Sequence, residues 1–305
     1  MNKILIFGGT GFIGKSLAKH LKAHGLEPVL IARNKPESDE FRFVEWDAVN
    51  LGNWVKDLEG AQAVVNLTGR SVDCIKTPDN CDVILRSRID STHIIGKAFE
   101  KVENPPKVWV QMSTAHIYGD PPKQWCTENS ATGYGFAPFV GLAWEKAFMV
   151  SLPQNVRGVR LRTSFVIGKN GGALESLVKI VKMGLGGSVG HGNQGISWIH
   201  EYDMNEIILQ SIIDSNYKGI YIATAPNPVS NREFMQELRI KLKVGIGISA
   251  PNFITRFGAK YIFKTDPELA IYGRYLKSER LEKQGFNFKY PELHEALDHI
   301  FYVAN

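Results

Sequence analysis

Residues 4–14 read Ile4-Leu5-Ile6-Phe7-Gly8-Gly9-Thr10-Gly11-Phe12-Ile13-Gly14. Four apolar residues in a row suit a strand buried on both faces, and the glycines at 8, 11 and 14 mark a sharp turn into a helix. Gly8 permits a tight turn, Gly11 lets the backbone approach a ligand with no Cβ in the way, and Gly14 lets the new helix pack close to the strand. The first N–H groups of that helix lack intrahelical partners and carry the positive end of its dipole. A diphosphate fits there, so Gly8, Thr10, Gly11, Phe12, Ile13 and Gly14 are expected to hold a dinucleotide.

Outward from this turn, strand and helix patterns alternate. Residues 12–23 read as a helix with Ile13, Leu17 and Leu21 on one face, and 83–102 and 140–152 as two more. Strand patterns fall at 28–32, 41–45, 63–67, 108–112 and 159–162. This order predicts an α/β fold, a doubly wound parallel sheet of the Rossmann type with helices on both faces. The second half is less regular. Gly184 to Gly195 reads as a glycine-rich loop on the substrate side, residues 199–213 turn helical after a few positions, and 219–223 is a strand expected to return to the sheet. Ser230 and Glu233 form a capping-box pattern. The expected organisation is a nucleotide-binding domain over 1–165, with 195–225 returning to it. A smaller C-terminal substrate lobe covers 166–194 and 226–305.

The second strand ends Leu30-Ile31-Ala32-Arg33-Asn34. A site for NAD usually places an acid here for the ribose hydroxyls, whereas an arginine suits the 2′-phosphate of NADP. Arg33, with Lys35 nearby, therefore predicts NADP(H) as cofactor.

Composition narrows the remaining classes. At 305 residues with 44% hydrophobic content the chain can bury a large core. The net charge of +5 is spread among acids, which argues against a nucleic-acid partner. Cys74, Cys81 and Cys126 form no metal-ligand spacing, so no metal is expected and the thiols read as reduced. Met1-Asn2-Lys3 leads straight into the first strand, and no apolar run reaches ~18 residues, so neither a signal peptide nor a membrane partner is expected. The expected location is cytoplasmic, and the expected partner a small-molecule substrate. Composition does not fix an oligomeric state.

These motifs resemble the short-chain dehydrogenase/reductase superfamily, extended type, which has a Rossmann domain and a C-terminal substrate lobe. The spacing of Gly8, Gly11 and Gly14 is that family's version of the turn. Asn66-Leu67-Thr68-Gly69 resembles its segment beside the cofactor, which implies roles for Leu67, Thr68 and Gly69. Trp46-Asp47 resembles the point where an Asp meets the adenine, which implies that role for Asp47. Trp198-Ile199-His200-Glu201-Tyr202-Asp203 matches another family segment. Leu161-Arg162-Thr163, Gly171-Gly172-Ala173-Leu174, Ala225-Pro226-Asn227-Pro228-Val229 and the run Leu281 to Phe288 resemble an atypical epimerase-family branch with its own C-terminal domain.

In extended-type enzymes a Ser or Thr orients the substrate, and a Tyr exchanges a proton with help from a Lys four residues later. Met112-Ser113-Thr114-Ala115-His116-Ile117-Tyr118-Gly119 resembles the segment with the hydroxyl, placing Thr114 in that role with Ser113 beside it. The Tyr/Lys pair is missing. An ungapped register puts Phe139 and Ala143 there, and a register on Trp144-Glu145 puts Phe136 and Val140. Tyr118 is a candidate replacement acid, whereas His200 reads as structural. Two readings stay open: an NADP-dependent oxidoreductase or epimerase-like enzyme acting on a carbonyl or hydroxyl compound such as a nucleotide sugar, and a non-catalytic NADP(H)-binding redox sensor or protein-interaction module.

Overall fold

A computed structural model describes residues 2–121 and 124–302. Met1 and the last three positions of the expected lobe lie outside the described residues. Among the described residues thirteen strands run β1 (Lys3–Phe7), β2 (Glu27–Ala32), β3 (Arg42–Glu45), β4 (Ala63–Asn66), β5 (Val108–Thr114), β6 (Trp125–Cys126), β7 (Arg157–Thr163), β8 (Phe165–Ile167), β9 (Gly195–Ile196), β10 (Trp198–His200), β11 (Gly219–Ala223), β12 (Val229–Ser230) and β13 (Tyr275–Leu276). Ten α-helices accompany them among the described residues: α1 (Phe12–Ala23), α2 (Pro78–Phe99), α3 (Phe136–Ser151), α4 (Leu174–Lys182), α5 (Glu201–Ile213), α6 (Asn231–Leu242), α7 (Asn252–Gly258), α8 (Glu268–Ile271), α9 (Glu279–Lys283) and α10 (Leu293–Tyr302).

Seven parallel strands form the central sheet in the order β11-β7-β5-β4-β1-β2-β3. Alternation along β1 sends Ile4 and Ile6 to one face and Leu5 and Phe7 to the other. The first face packs on Leu17 and Leu21 of α1 and on Met204, Ile207 and Ile208 of α5. The second packs on Ile95 and Phe99 of α2 and Phe148 of α3, around the buried Trp109. This is the doubly wound α/β sheet expected from the alternating pattern. His20 in α1 hydrogen-bonds Glu206 in α5 at 3.0 Å, tying the two helices of one layer.

The C-terminal lobe has its own core of Leu174, Val181, Trp198, Phe234, Leu238, Leu293 and Leu297. Two-stranded pairs β8–β10 and β9–β12 join it to the sheet. The chain then re-enters the sheet layers through α5 and β11, which pairs with β7 from Gly219↔Val159 to Ala223↔Thr163. The Ser230–Glu233 capping box is formed.

Two helices begin earlier than apolar spacing suggests. α2 starts at Pro78 because the Thr77 side chain accepts from the Asn80 N–H and proline fills the first turn. α3 starts at Phe136, directly after Gly135 at φ +106°.

Candidate functional site

The strand order reverses between β1 and β4, so the loops leaving these strands border a crevice at the carboxyl edge of the sheet. Gly8 has φ +76°, and its N–H donates to the Ile31 carbonyl at 2.8 Å. A Cβ on Gly8 would lie 3.1 Å from the Leu67 carbonyl, so glycine brings the two loops together. A Cβ on Gly14 would sit 2.7 Å from the Gly9 backbone, which is the close helix–strand packing expected of that position. Gly11 is different. A Cβ there would meet only the Gly8 carbonyl oxygen, at 3.3 Å, and its φ of −75° suits any residue. That single contact is all that crowds Gly11, beside a helix start that no side chain caps and whose first turn holds no acid. Such a start fits a diphosphate.

Arg33 is exposed at the end of β2 and makes no ion pair or side-chain hydrogen bond among the described residues. Lys35 pairs with Asp39 at 2.8 Å. Asp47 follows β3, and its carboxylate accepts from the Val49 and Asn50 N–H groups, each at 2.8 Å. These bonds, those of Asn50 foremost, hold its pKa below the usual carboxylate value. The Leu67 N–H donates to Phe7, fixing the loop after β4 against β1. The Thr68 hydroxyl lies 2.5 Å from Asn66 Oδ1 and 2.8 Å from Ser91 Oγ, and Asn66 reaches Gln111 at 3.0 Å. This buried polar network sets the floor of the crevice. Gly69 leaves room for Arg88, whose guanidinium would be 3.0 Å from a Cβ there and stacks on Trp144 at 5.0 Å. Burial pulls the Arg88 pKa down to about 10.

The three candidate catalytic residues do not converge. Thr114 ends β5, half-buried, and its Oγ1 accepts from the His116 N–H at 3.2 Å. Ser113 points elsewhere, donating to buried Glu145 Oε1 at 2.7 Å. Tyr118 is also drawn away: it is buried, and its hydroxyl accepts from Arg162 at 2.8 Å. Burial pushes its pKa up to about 12. Arg162 meanwhile grips Glu145 through two bonds of 2.8 and 3.0 Å. Ser113 and Tyr118 are thus engaged in a buried ion cluster with Glu145 and Arg162, whereas Thr114 is not. Sequence patterns include Trp144-Glu145 and Leu161-Arg162 but do not reveal that these residues pair.

The missing pair also has a structural answer. On α3, the face toward Thr114 carries Gly141, whose Cβ would lie 3.1 Å from the Thr114 methyl. One turn earlier on that face is Ala137. Phe139 lies across the helix and is 56% exposed, so the ungapped register does not put it in the crevice. His116, half-buried, is held near pKa 3 by burial and by the charges of Arg274 and Lys76.

The C-terminal lobe roofs this edge. Lys76 pairs with Asp266 at 3.2 Å, Thr265 bonds Asp73, and Arg274 donates to the Gly119 carbonyl at 2.6 Å. The glycine-rich stretch serves packing. A Cβ on Gly187 would collide with Ser249 N at 2.3 Å, and Gly190 donates to the Ala250 carbonyl at 2.9 Å. At Gly187 and Gly190 the stretch is thus packed against residues 248–250, a use of glycine that its composition did not reveal.

Comparison with known proteins agrees with this architecture. The model of the NAD dependent epimerase/dehydratase family matches residues 4–220, and that of a domain of unknown function, DUF1731, matches 250–300. The Bos taurus epimerase family protein SDR39U1 is 30% identical, over 98% of this chain and 99% of its own length. The Bacillus subtilis epimerase family protein YfhF is 29% identical, with 97% of each chain covered. The crystal structure of human epimerase family protein SDR39U1 (isoform 2), solved with NADPH, superposes with a TM-score of 0.88 at 28% identity, covering 99% of this chain and 100% of that one. With its glycine turn, reversed strand order and C-terminal lobe, the chain belongs to the NAD-dependent epimerase/dehydratase family.

Proposed function

We propose that this chain binds NADP(H) along the crevice and acts as an oxidoreductase or epimerase-like enzyme on a carbonyl or hydroxyl compound held beside Thr114. The observation that carries this reading is the lightly crowded Gly11, with one backbone oxygen near its Cβ position, before a helix start that no side chain caps. The unpaired Arg33 at the neighbouring strand end supports a 2′-phosphate. Phe12 and Ile13 offer free N–H groups to the diphosphate, and Thr10, Gly14 and the backbone at Leu67 to Gly69 shape its bed. Asp47 retains lone pairs for the adenine end. When bound, the dinucleotide donates or accepts hydride. Thr114 orients the substrate oxygen. Nucleotide sugars are the substrate class that the family suggests.

One observation favours the second reading, a non-catalytic NADP(H)-binding redox sensor or protein-interaction module. Tyr118 and His116 are driven away from neutrality in opposite directions, so neither is suited to exchange a proton at pH 7. Without a positioned proton donor, turnover is expected ~10²–10⁴-fold below that of a complete site.

Calorimetry with NADPH and NADH tests the binding step. NADPH should bind more tightly, and Arg33→Ala should narrow the preference by about 1.5–3 kcal/mol. Equal affinities in the unmodified protein would refute the assignment. NADPH oxidation assayed across nucleotide sugars and simple ketones separates the two readings. Turnover reduced by Thr114→Val supports the enzyme, and tight binding with no turnover supports the sensor.

A further inference from the structure

The segment after α6 is built inside out. From Ile240 to Thr265 the sequence holds five cations, Lys241, Lys243, Arg256, Lys260 and Lys264, and no acid. Within it, α7 runs into a single π-turn at Ala259–Phe263. At about 100° per residue, Phe253, Ile254 and Phe257 share one face of α7. They are 72%, 49% and 61% exposed. Tyr261 and Ile262 extend that face, the Phe257 and Tyr261 rings lying 4.9 Å apart. The side turned to the protein carries small residues instead, the buried Ala259 and half-buried Thr255. A surface helix normally turns its apolar face inward, so this one presents its apolar face to something else.

We infer that this face is a docking surface for an anionic lipid bilayer. Charge selects the occupant. Arg256, Lys260 and Lys264 are exposed around the apolar face. Lys241 is bound to Asp298 at 2.6 Å and faces the lobe. A two-fold contact with a second copy would bring the same cations together, whereas a negatively charged membrane surface neutralises them. Aromatic and aliphatic side chains flanked by Lys and Arg on a short surface helix are the composition of an interfacial anchor. The helix is far too short to span, in keeping with the lack of any long apolar helix among the described residues. Docking would hold the roof over the crevice near the lipid surface, since Thr265, Asp266 and Arg274 join this segment to the site.

The test is co-sedimentation of the purified full chain with vesicles of phosphatidylcholine alone and of phosphatidylcholine with phosphatidylglycerol. Binding should occur with phosphatidylglycerol and fall steeply as salt is raised to ~0.5 M. Phe253→Ser/Phe257→Ser should weaken it at least ~10-fold, the loss expected from removing that much apolar area. Arg256→Gln/Lys260→Gln should weaken it on charged vesicles while light scattering leaves the mass in solution unchanged. Retained NADPH affinity in each variant shows that it remains folded. The inference is overturned by no sedimentation with phosphatidylglycerol, by binding indifferent to these substitutions, or by a dimer that Phe253→Ser/Phe257→Ser dissociates without any vesicle binding.

Discussion

Gly11 and Gly14 are both glycines of one motif, and their surroundings give them opposite roles. Any Cβ at 14 strikes the Gly9 backbone at 2.7 Å, whereas one at 11 meets only the Gly8 carbonyl oxygen, at 3.3 Å. Gly14→Val should therefore destabilise the fold, and Gly11→Val should leave it intact while abolishing NADPH binding. Urea unfolding and calorimetry on the two variants check this, and normal binding by Gly11→Val would reduce the motif to a structural turn. The glycine motif was legible from spacing because each glycine answers a backbone demand. The ion cluster was not, because Glu145, Arg162, Ser113 and Tyr118 lie on separate elements, and only packing brings them together. Glu145 and Arg162 are 4% and 6% exposed. Glu145→Ala would leave a buried guanidinium without its carboxylate, at a cost of about 3–5 kcal/mol. Chemical denaturation measures it, and a loss below ~1 kcal/mol would mean that water or Tyr118 compensates.

At the scale of elements, sequence periodicity located the strands of the central sheet and the bodies of the helices that flank it, but not the short two-stranded pairs or most helices of the lobe, while the starts of α2 and α3 were set by Thr77-Pro78 and Gly135. The start of α5 shows how one cap can carry a pH dependence. His200 caps it, with Nδ1 accepting from the Tyr202 N–H at 3.0 Å. That bond places the proton on Nε2, which then faces His299 Nδ1 at 3.2 Å. Protonating Nδ1 would destroy the cap. Burial, aided by His299 and Lys289, lowers the His200 pKa to about 3. The unfolded chain takes up this proton near pH 6.5 and the folded one only near 3, so stability is full above ~6.5 and is lost as pH falls toward 3. The limiting slope is ~1.4 kcal/mol per pH unit for this histidine. His116, held near 3 as well, adds to the same trend. Urea midpoints at pH 7.5 and 5 should fall less in His200→Asn, since asparagine caps a helix without titrating. An identical fall in both proteins would remove His200 as the cause.

Over the whole molecule, the sheet was readable in advance and the lobe was not. Parallel strands are near-continuous apolar runs, visible one at a time. The lobe is held by contacts between distant loops. Its glycines at 187 and 190 resemble a flexible loop in composition, and its outward-facing α7 is too short to stand out as an apolar run. Among the contacts of the roof is one ion pair with little exposure, Lys76 at 22% and Asp266 at 10%. Asp266→Asn keeps an oxygen for the Glu268 N–H, which the aspartate now accepts at 3.0 Å, and removes the charge facing Lys76. The ammonium is then left to the Val72 and Cys74 carbonyls. If the roof opens as a unit, amide exchange should quicken by ~10–100-fold in residues 70–77 and in 265–274 together, because local opening is cooperative. Exchange in β5, inside the sheet, should stay unchanged. The same variant should keep its NADPH affinity, since neither Gly11 nor Arg33 bonds to the roof. Faster exchange confined to residues beside Asp266 would show instead that the lobe is held by its other contacts, with Arg274 at Gly119 the next to break.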